Sequence, residues 1–170
     1  MSALPTSRHI TIEQFELLPE IDGIQELLDG EVVEMPPPKQ RHSALVKRIV
    51  KILSRHIDES RTWIETGFLI GPHCPQPDVA IIHVDQEMER GWYSGSPLIA
   101  IEVASRGNSP NELEFKKELY LAHGAQEVWI VYDKTRTVEW YGPGGVNRTF
   151  RTPFQSPHLD AEIDPAEIFA

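Results

Sequence analysis

Two rhythms of hydrophobic and polar positions alternate along the chain, and each change of rhythm marks an element. Thr11 to Leu18 predicts a short helix with Thr11 near its cap. "IQELLDGEVVEM", residues 24–35, predicts a hairpin turning at Asp29-Gly30, the pair that two-residue hairpin turns favour. "PPPK" then interrupts regular structure, and from about Arg41 to Ile57 the period lengthens to that of an amphipathic helix. Its Leu45, Val46, Ile49, Val50, Ile52, Leu53 and Ile57 occupy about 160° of the helical wheel. "TWIETGFLIG", residues 62–71, and "PDVAIIHV", residues 77–84, predict strands, and the polar stretch 85–97 predicts a loop. "LIAIEV", residues 98–103, is apolar on both faces, as a central strand requires. "SPNE" at 109–112 opens the next helix, with Ser109 as cap, Pro110 at the first position and Glu112 completing a capping box. It runs to about His123, where Gly124 ends it. "EVWIVYD" and "TVEWYG" predict a strand pair, and the proline-rich tail reads as loop closing with a short "PAEIF" turn. Hairpin, helix, three strands, helix, two strands: the order predicts an α/β (α+β) fold, a mixed sheet flanked by helices, in a single domain spanning residues 1–170.

Composition narrows the classes. A chain of 170 residues, 40% hydrophobic, can bury one core. Its apolar runs fall far short of the roughly 20 residues that span a bilayer, and the first residues carry no secretion signal. A single cysteine, Cys74, excludes an internal disulfide and fits a reducing cytoplasm. Cys74 beside His73 in "GPHCPQP" reads as a plain turn. The net charge of −10 argues against a protein that coats nucleic acid, yet it leaves room for a basic patch on an acidic body. Such a patch is visible: Arg41, Lys47, Arg48, Lys51 and Arg55 share about 120° of the long helix, opposite its apolar arc. They are either a solvated face or a stripe that meets phosphates.

The chemistry begins with two acids inside apolar strands. Asp78 and Glu102 are each the lone carboxylate of a run that must be buried, and a buried carboxylate needs a cation, donors or a metal. On neighbouring strands the two would converge, and close anions persist only if one is protonated or a cation sits between them. A hard divalent ion, Mg²⁺ or Mn²⁺, is the natural compensator. One element later, Leu113, Phe115, Leu119, Tyr120 and Ala122 define the inward arc of a helix. Lys116 falls about 30° from its middle and Lys117 about 130° away. An ammonium on the inward face needs anionic company; a surface pair with Glu112 is its blander reading.

"ELLDGEVVEMPPP" with a following His42, then "PDVAII", "IEVAS", Lys116, Tyr120 and Gly124 at helical spacing, and "EVWIVYD" together resemble the Uma2 family, also called DUF820. These are bacterial proteins of the PD-(D/E)XK nuclease superfamily, and the resemblance runs from about Ile12 to Phe169. It implies a restriction endonuclease-like fold, with Asp78 as the PD aspartate and Glu102 as the acid of the (D/E)XK motif. Ala104 stands where that motif has its lysine. In families like this one the lysine is displaced to the following helix, where Lys116 matches. Glu31 and His42 match positions common in the family, although the angle of His42 on its helix suits a satisfied core histidine. "EVASRGNSP" differs from the more usual "EVLSPS", though Ser105 still matches.

The expectation is thus a cytoplasmic, metal-dependent endonuclease acting on DNA and leaving a 5′-phosphate and a 3′-hydroxyl. Asp78 and Glu102 would bind Mg²⁺ or Mn²⁺, and Lys116 would be the third catalytic residue. The basic stripe would bind nucleic acid, and pairing into a homodimer would let two stripes line one groove. Two other readings stand beside it: a non-catalytic module binding nucleic acid or protein, and a hydrolase of a smaller phosphodiester.

Overall fold

A computed structural model describes residues 9–105 and 107–170. A short helix, α1 (Ile12–Glu16), is followed by the hairpin β1 (Ile24–Leu28) and β2 (Glu31–Met35), then by α2 (Gln40–Leu53). Next come β3 (Thr62–Ile64), β4 (Phe68–Leu69), β5 (Val79–Ile81), β6 (Met88–Glu89), β7 (Trp92–Ser94) and β8 (Ile99–Val103). The helix α3 (Pro110–Ala122) leads to β9 (Glu127–Tyr132), β10 (Thr137–Gly142), β11 (Val146–Phe150), β12 (Phe154–Ser156), β13 (Ala161–Ile163) and α4 (Pro165–Ile168).

Six strands form one mixed sheet in the order β11-β10-β9-β8-β5-β3. The central pair β8–β9 is parallel and every other pair is antiparallel. The α3 crossover supplies the long connection a parallel pair needs. Strand parity sorts the core into two layers. Val79, Ile81, Ile99, Ile101, Val103 and Trp129 face α2, which contributes Leu45, Ile49 and Leu53. Ala80, Ala100 and Val128 face α3, which contributes Leu119 and Tyr120. Burying an aliphatic side chain of this kind stabilises by about 1.5–3 kcal/mol. The β1–β2 hairpin stands apart from the large sheet, and the Leu27–Cys74 bridge ties it to the segment leading into β5, within a third cluster around Phe15.

Most of the local signals hold. Thr11 caps α1 in a full capping box, and Asp29 and Gly30 turn the hairpin with φ of 50° and 75°. Ser109 caps α3 through the Glu112 N–H. The Glu112 carboxylate, however, accepts from the Asn108 side chain instead of completing a box. Helix α2 stops at Leu53 rather than Ile57, because the Ser54 hydroxyl bonds the Lys51 carbonyl and the chain turns off.

Two regions read as loop contain strands. Residues 88–94 form a tight β6–β7 pair around Arg90-Gly91, and the tail forms β11, β12 and β13. Their lengths of two to five residues leave too few positions for a rhythm to show. Among the described residues no helix is long and apolar enough to cross a membrane.

Candidate functional site

Asp78 immediately precedes β5, and Glu102 is the fourth residue of β8. The register pairs Val79 with Ile101 and Ala80 with Ala100, so Asp78 extends the ladder opposite Glu102. Opposed residues of an antiparallel pair share a face; Glu102 meets Lys116 and Tyr120 of α3, and Asp78, one residue outside β5, is reached by His42 of α2. Asp78 is 8% exposed and Glu102 4%.

Each acid is held differently. One oxygen of Asp78 accepts the Val103 N–H at 2.6 Å, and the other meets His42 Nε2 at 2.9 Å. That bond lifts the His42 imidazole above its ordinary pKa, against the opposing effect of burial. Half-buried, His42 is satisfied by the Asp78 carboxylate: it enters from the first turn of α2 and orients the first acid. Glu102 accepts from Lys116 Nζ at 2.7 Å and from the Tyr120 hydroxyl at 3.0 Å, both at the same oxygen, Oε1. Burial pushes Glu102 up to about 8; Lys116 opposes this, while Asp78 and Glu26 reinforce it.

Lys116 is 1% exposed, on the inward face as its helical angle requires. Burial alone would lower its pKa, but Glu102 and Glu26 outweigh burial and hold it charged, above its usual range. Lys117, one residue on, pairs with Glu114 and lies over the Tyr141 ring at 4.7 Å from its centroid. It is half-buried against this ring rather than fully in solvent.

Glu26 is the acid that the sequence reading passes over. It lies on β1, fully buried, with Oε1 2.7 Å from Lys116 Nζ and accepting the Gln76 N–H at 2.6 Å. The signal existed: Glu26 shares strand parity with the buried Ile24 and Leu28. Glu31, the acid singled out instead, is exposed at the start of β2 opposite Leu28. No hydrogen bond or ion pair among the described residues links Glu31 to the site. A fourth acid stands at the rim. Glu65 follows β3 with φ 48°, and its N–H donates to the Asp78 carbonyl. Burial raises its pKa, Asp78 adds to that and His42 subtracts.

The buried carboxylate of Glu127 makes a useful contrast. It is saturated by the indole N–H groups of Trp129 and Trp140 on the sheet and, from the tail, by the Ser156 hydroxyl and the backbone N–H and imidazole Nδ1 of His158, which clamps the tail to the sheet. Cys74 is likewise structural: it is fully buried, and burial pushes its thiol up to about 12.

The basic stripe is divided. Arg41 makes a two-point pair with Asp133, and Arg55 pairs with Glu167 at 2.7 Å. Among the described residues Lys47, Arg48 and Lys51 form no ion pair, and both lysines are exposed. Arg41, Lys47, Arg48 and Lys51 lie on the arc of α2 opposite His42 and Arg55 lies just beyond its end, while Arg48 is half-buried, its Nη1 without a hydrogen-bond partner among the described residues.

The donor set fits a hard divalent ion. Two carboxylates share a face, and Glu102 Oε2 has no hydrogen-bond donor among the described residues. Glu26, Asp78 and Glu102 together outnumber the buried ammonium. Among the described residues no group of three or more His, Cys, Asp and Glu is placed to hold a metal ion, so the protein side of such a site would be the two acids alone. Two protein carboxylates with water and substrate completing the shell is the arrangement Mg²⁺ favours.

Residues 12–165 match the family model described as "Uma2: Putative restriction endonuclease". A crystal structure of "a putative nuclease belonging to DUF820" from Anabaena variabilis superposes with a TM-score of 0.83 at 22% sequence identity. The match covers 94% of this chain and 97% of that one, and it establishes the shared fold. No curated protein matches.

Proposed function

The chain belongs to the Uma2 family of restriction endonuclease-like proteins, and from that membership we propose a metal-dependent endonuclease that hydrolyses DNA phosphodiester bonds. The observation carrying this reading is the convergence of Asp78, Glu102 and Lys116 on one face of the sheet, with the ammonium 2.7 Å from the second acid.

Asp78 and Glu102 would hold Mg²⁺ or Mn²⁺. A bound divalent ion supplies Lewis-acid polarisation of the phosphate and a lowered pKa for its water. The chain's own groups do the rest. Val103 N–H and His42 fix the Asp78 carboxylate in one rotamer, and Tyr120 does the same for Glu102. Lys116, charged and immobile, presents N–H donors that orient the attacking water or meet the charge developing on the phosphate in the transition state. No covalent nucleophile is required. Lys47, Arg48 and Lys51 are proposed to contact phosphates of the bound duplex.

The test is a cleavage assay on single- and double-stranded DNA with Mg²⁺ and with Mn²⁺, wild type beside Glu102→Ala. Metal-dependent cutting that disappears in the variant supports the reading. Equal cutting by both, or none by the wild type in either metal, overturns it.

A further inference from the structure

We propose that Glu26 is a positioning residue for Lys116, holding the ammonium in place while Glu102 serves the metal. The inference rests on the nuclease reading of the Asp78–Glu102–Lys116 site. Lys116 Nζ is equidistant, at 2.7 Å, from Glu26 Oε1 and Glu102 Oε1. Glu102 cannot anchor the amine unaided, because a carboxylate shared with a divalent cation attracts an ammonium less strongly. Glu26 comes from a different layer of the fold, the β1–β2 hairpin, and is itself fixed. Gln76 donates its N–H to Glu26 Oε1, and its side-chain amide donates to the Gln25 carbonyl. Gln76 lies two residues before Asp78, so one segment presents the first acid and orients the group that orients the lysine.

Stability alone does not account for this contact. Glu26 Oε2 is buried and has no hydrogen-bond partner among the described residues. A buried ion pair with an unsatisfied oxygen is a poor stabilising device, since apolar residues of similar volume are often neutral or better. Placement of a charged group is what it does achieve.

The test uses the full chain as Glu26→Gln, Lys116→Met and the double variant, with kcat and KM on duplex DNA, Mn²⁺ affinity by calorimetry and denaturant unfolding in chelator. Glu26→Gln is expected to lower kcat by about 10–100-fold, the range for groups supporting a catalytic residue, with KM and Mn²⁺ affinity close to wild type. In the Lys116→Met background the same substitution should cost a far smaller factor. An equal loss in both backgrounds, an unchanged kcat, or a Glu26→Gln protein that no longer binds Mn²⁺ would each overturn the proposal. The last outcome would make Glu26 a metal ligand. If Glu26→Gln does not fold, Glu26→Asp replaces it, keeping the charge while withdrawing the oxygen, with an intermediate kcat expected. The two readings fail separately. Absence of cleavage by the wild type removes the nuclease assignment. Additive effects of Glu26→Gln and Lys116→Met on unfolding, a measurement without substrate, remove the contact itself.

Discussion

At the scale of residues, two adjacent lysines are the sharpest test of the site. Lys116→Met keeps much of the side chain's bulk, so a lower rate is not a cavity effect. Removing one transition-state interaction of this electrostatic kind costs about 10²–10³ in rate. Lys117→Met gives up an ion pair with Glu114 and a contact with Tyr141, so it should cost a little stability and almost no activity. A dead Lys117→Met beside a live Lys116→Met in the same assay would reverse the assignment. Glu102 gives the pH prediction. Its carboxyl, raised to about 8, must release a proton to bind a cation. Mn²⁺ affinity measured by calorimetry should therefore climb with pH up to about 8 and then level off. The folded pKa lies above the unfolded one, so the stability it confers on the metal-free protein is full below the ordinary glutamate range. That stability falls as pH rises toward about 8, and Glu102→Gln should flatten that part of the profile.

At the scale of elements, α2 carries two jobs on two faces. Its inward side packs Leu45, Ile49 and Leu53 on the sheet and delivers His42 to Asp78. Its outward side carries Arg41, Lys47, Arg48 and Lys51, of which Arg41 is already engaged by Asp133, as Arg55 just beyond the helix is by Glu167. The phosphate contacts proposed for this helix therefore belong chiefly to the unpaired members. Lys47→Gln with Lys51→Gln should reduce the slope of log K for duplex DNA against log salt by about 0.9 for each phosphate that the helix no longer neutralises. An unchanged slope would identify the stripe as a solvated face that keeps α2 out of the core.

At the scale of the whole molecule, Glu26, Asp78 and Glu102 crowd three buried acids around one buried ammonium in a chain of net charge −10, and Glu102 keeps its proton up to about 8 in the metal-free protein. A cation that binds only the folded state shifts the folding equilibrium by mass action, about 2.7 kcal/mol at a hundredfold excess over Kd. The melting midpoint should thus rise with Mn²⁺ concentration, and Asp78→Ala should abolish the rise. A midpoint in Asp78→Ala that still follows Mn²⁺ would place the ion elsewhere.

What the sequence determined by itself were the features set by neighbours in the chain. Hairpin chemistry lies in Asp29-Gly30, capping in Thr11 and Ser109, and the two faces of α2 in a period that only a helix satisfies. The inward angle of Lys116 and the solitary acids in "PDVAII" and "IEVAS" are equally local, which is why these three members of the candidate site could be named from the sequence. The resemblance to a known family extended that reading to the fold. Tertiary structure alone decided which distant groups meet. Nothing near Glu26 in the chain says that it faces Lys116, because that contact exists only once the hairpin docks on the segment before Asp78. The angle of His42 suited a satisfied histidine, and only the fold says that Asp78 is what satisfies it, just as Arg41 and Arg55 find their acids far along the chain. The short strands β11, β12 and β13 likewise form because pairing partners and the Glu127 clamp hold them, whereas residues this few and this rich in proline encode no rhythm of their own. Helix and turn propensities act over a few residues; the position of a buried charge depends on everything that must compensate it.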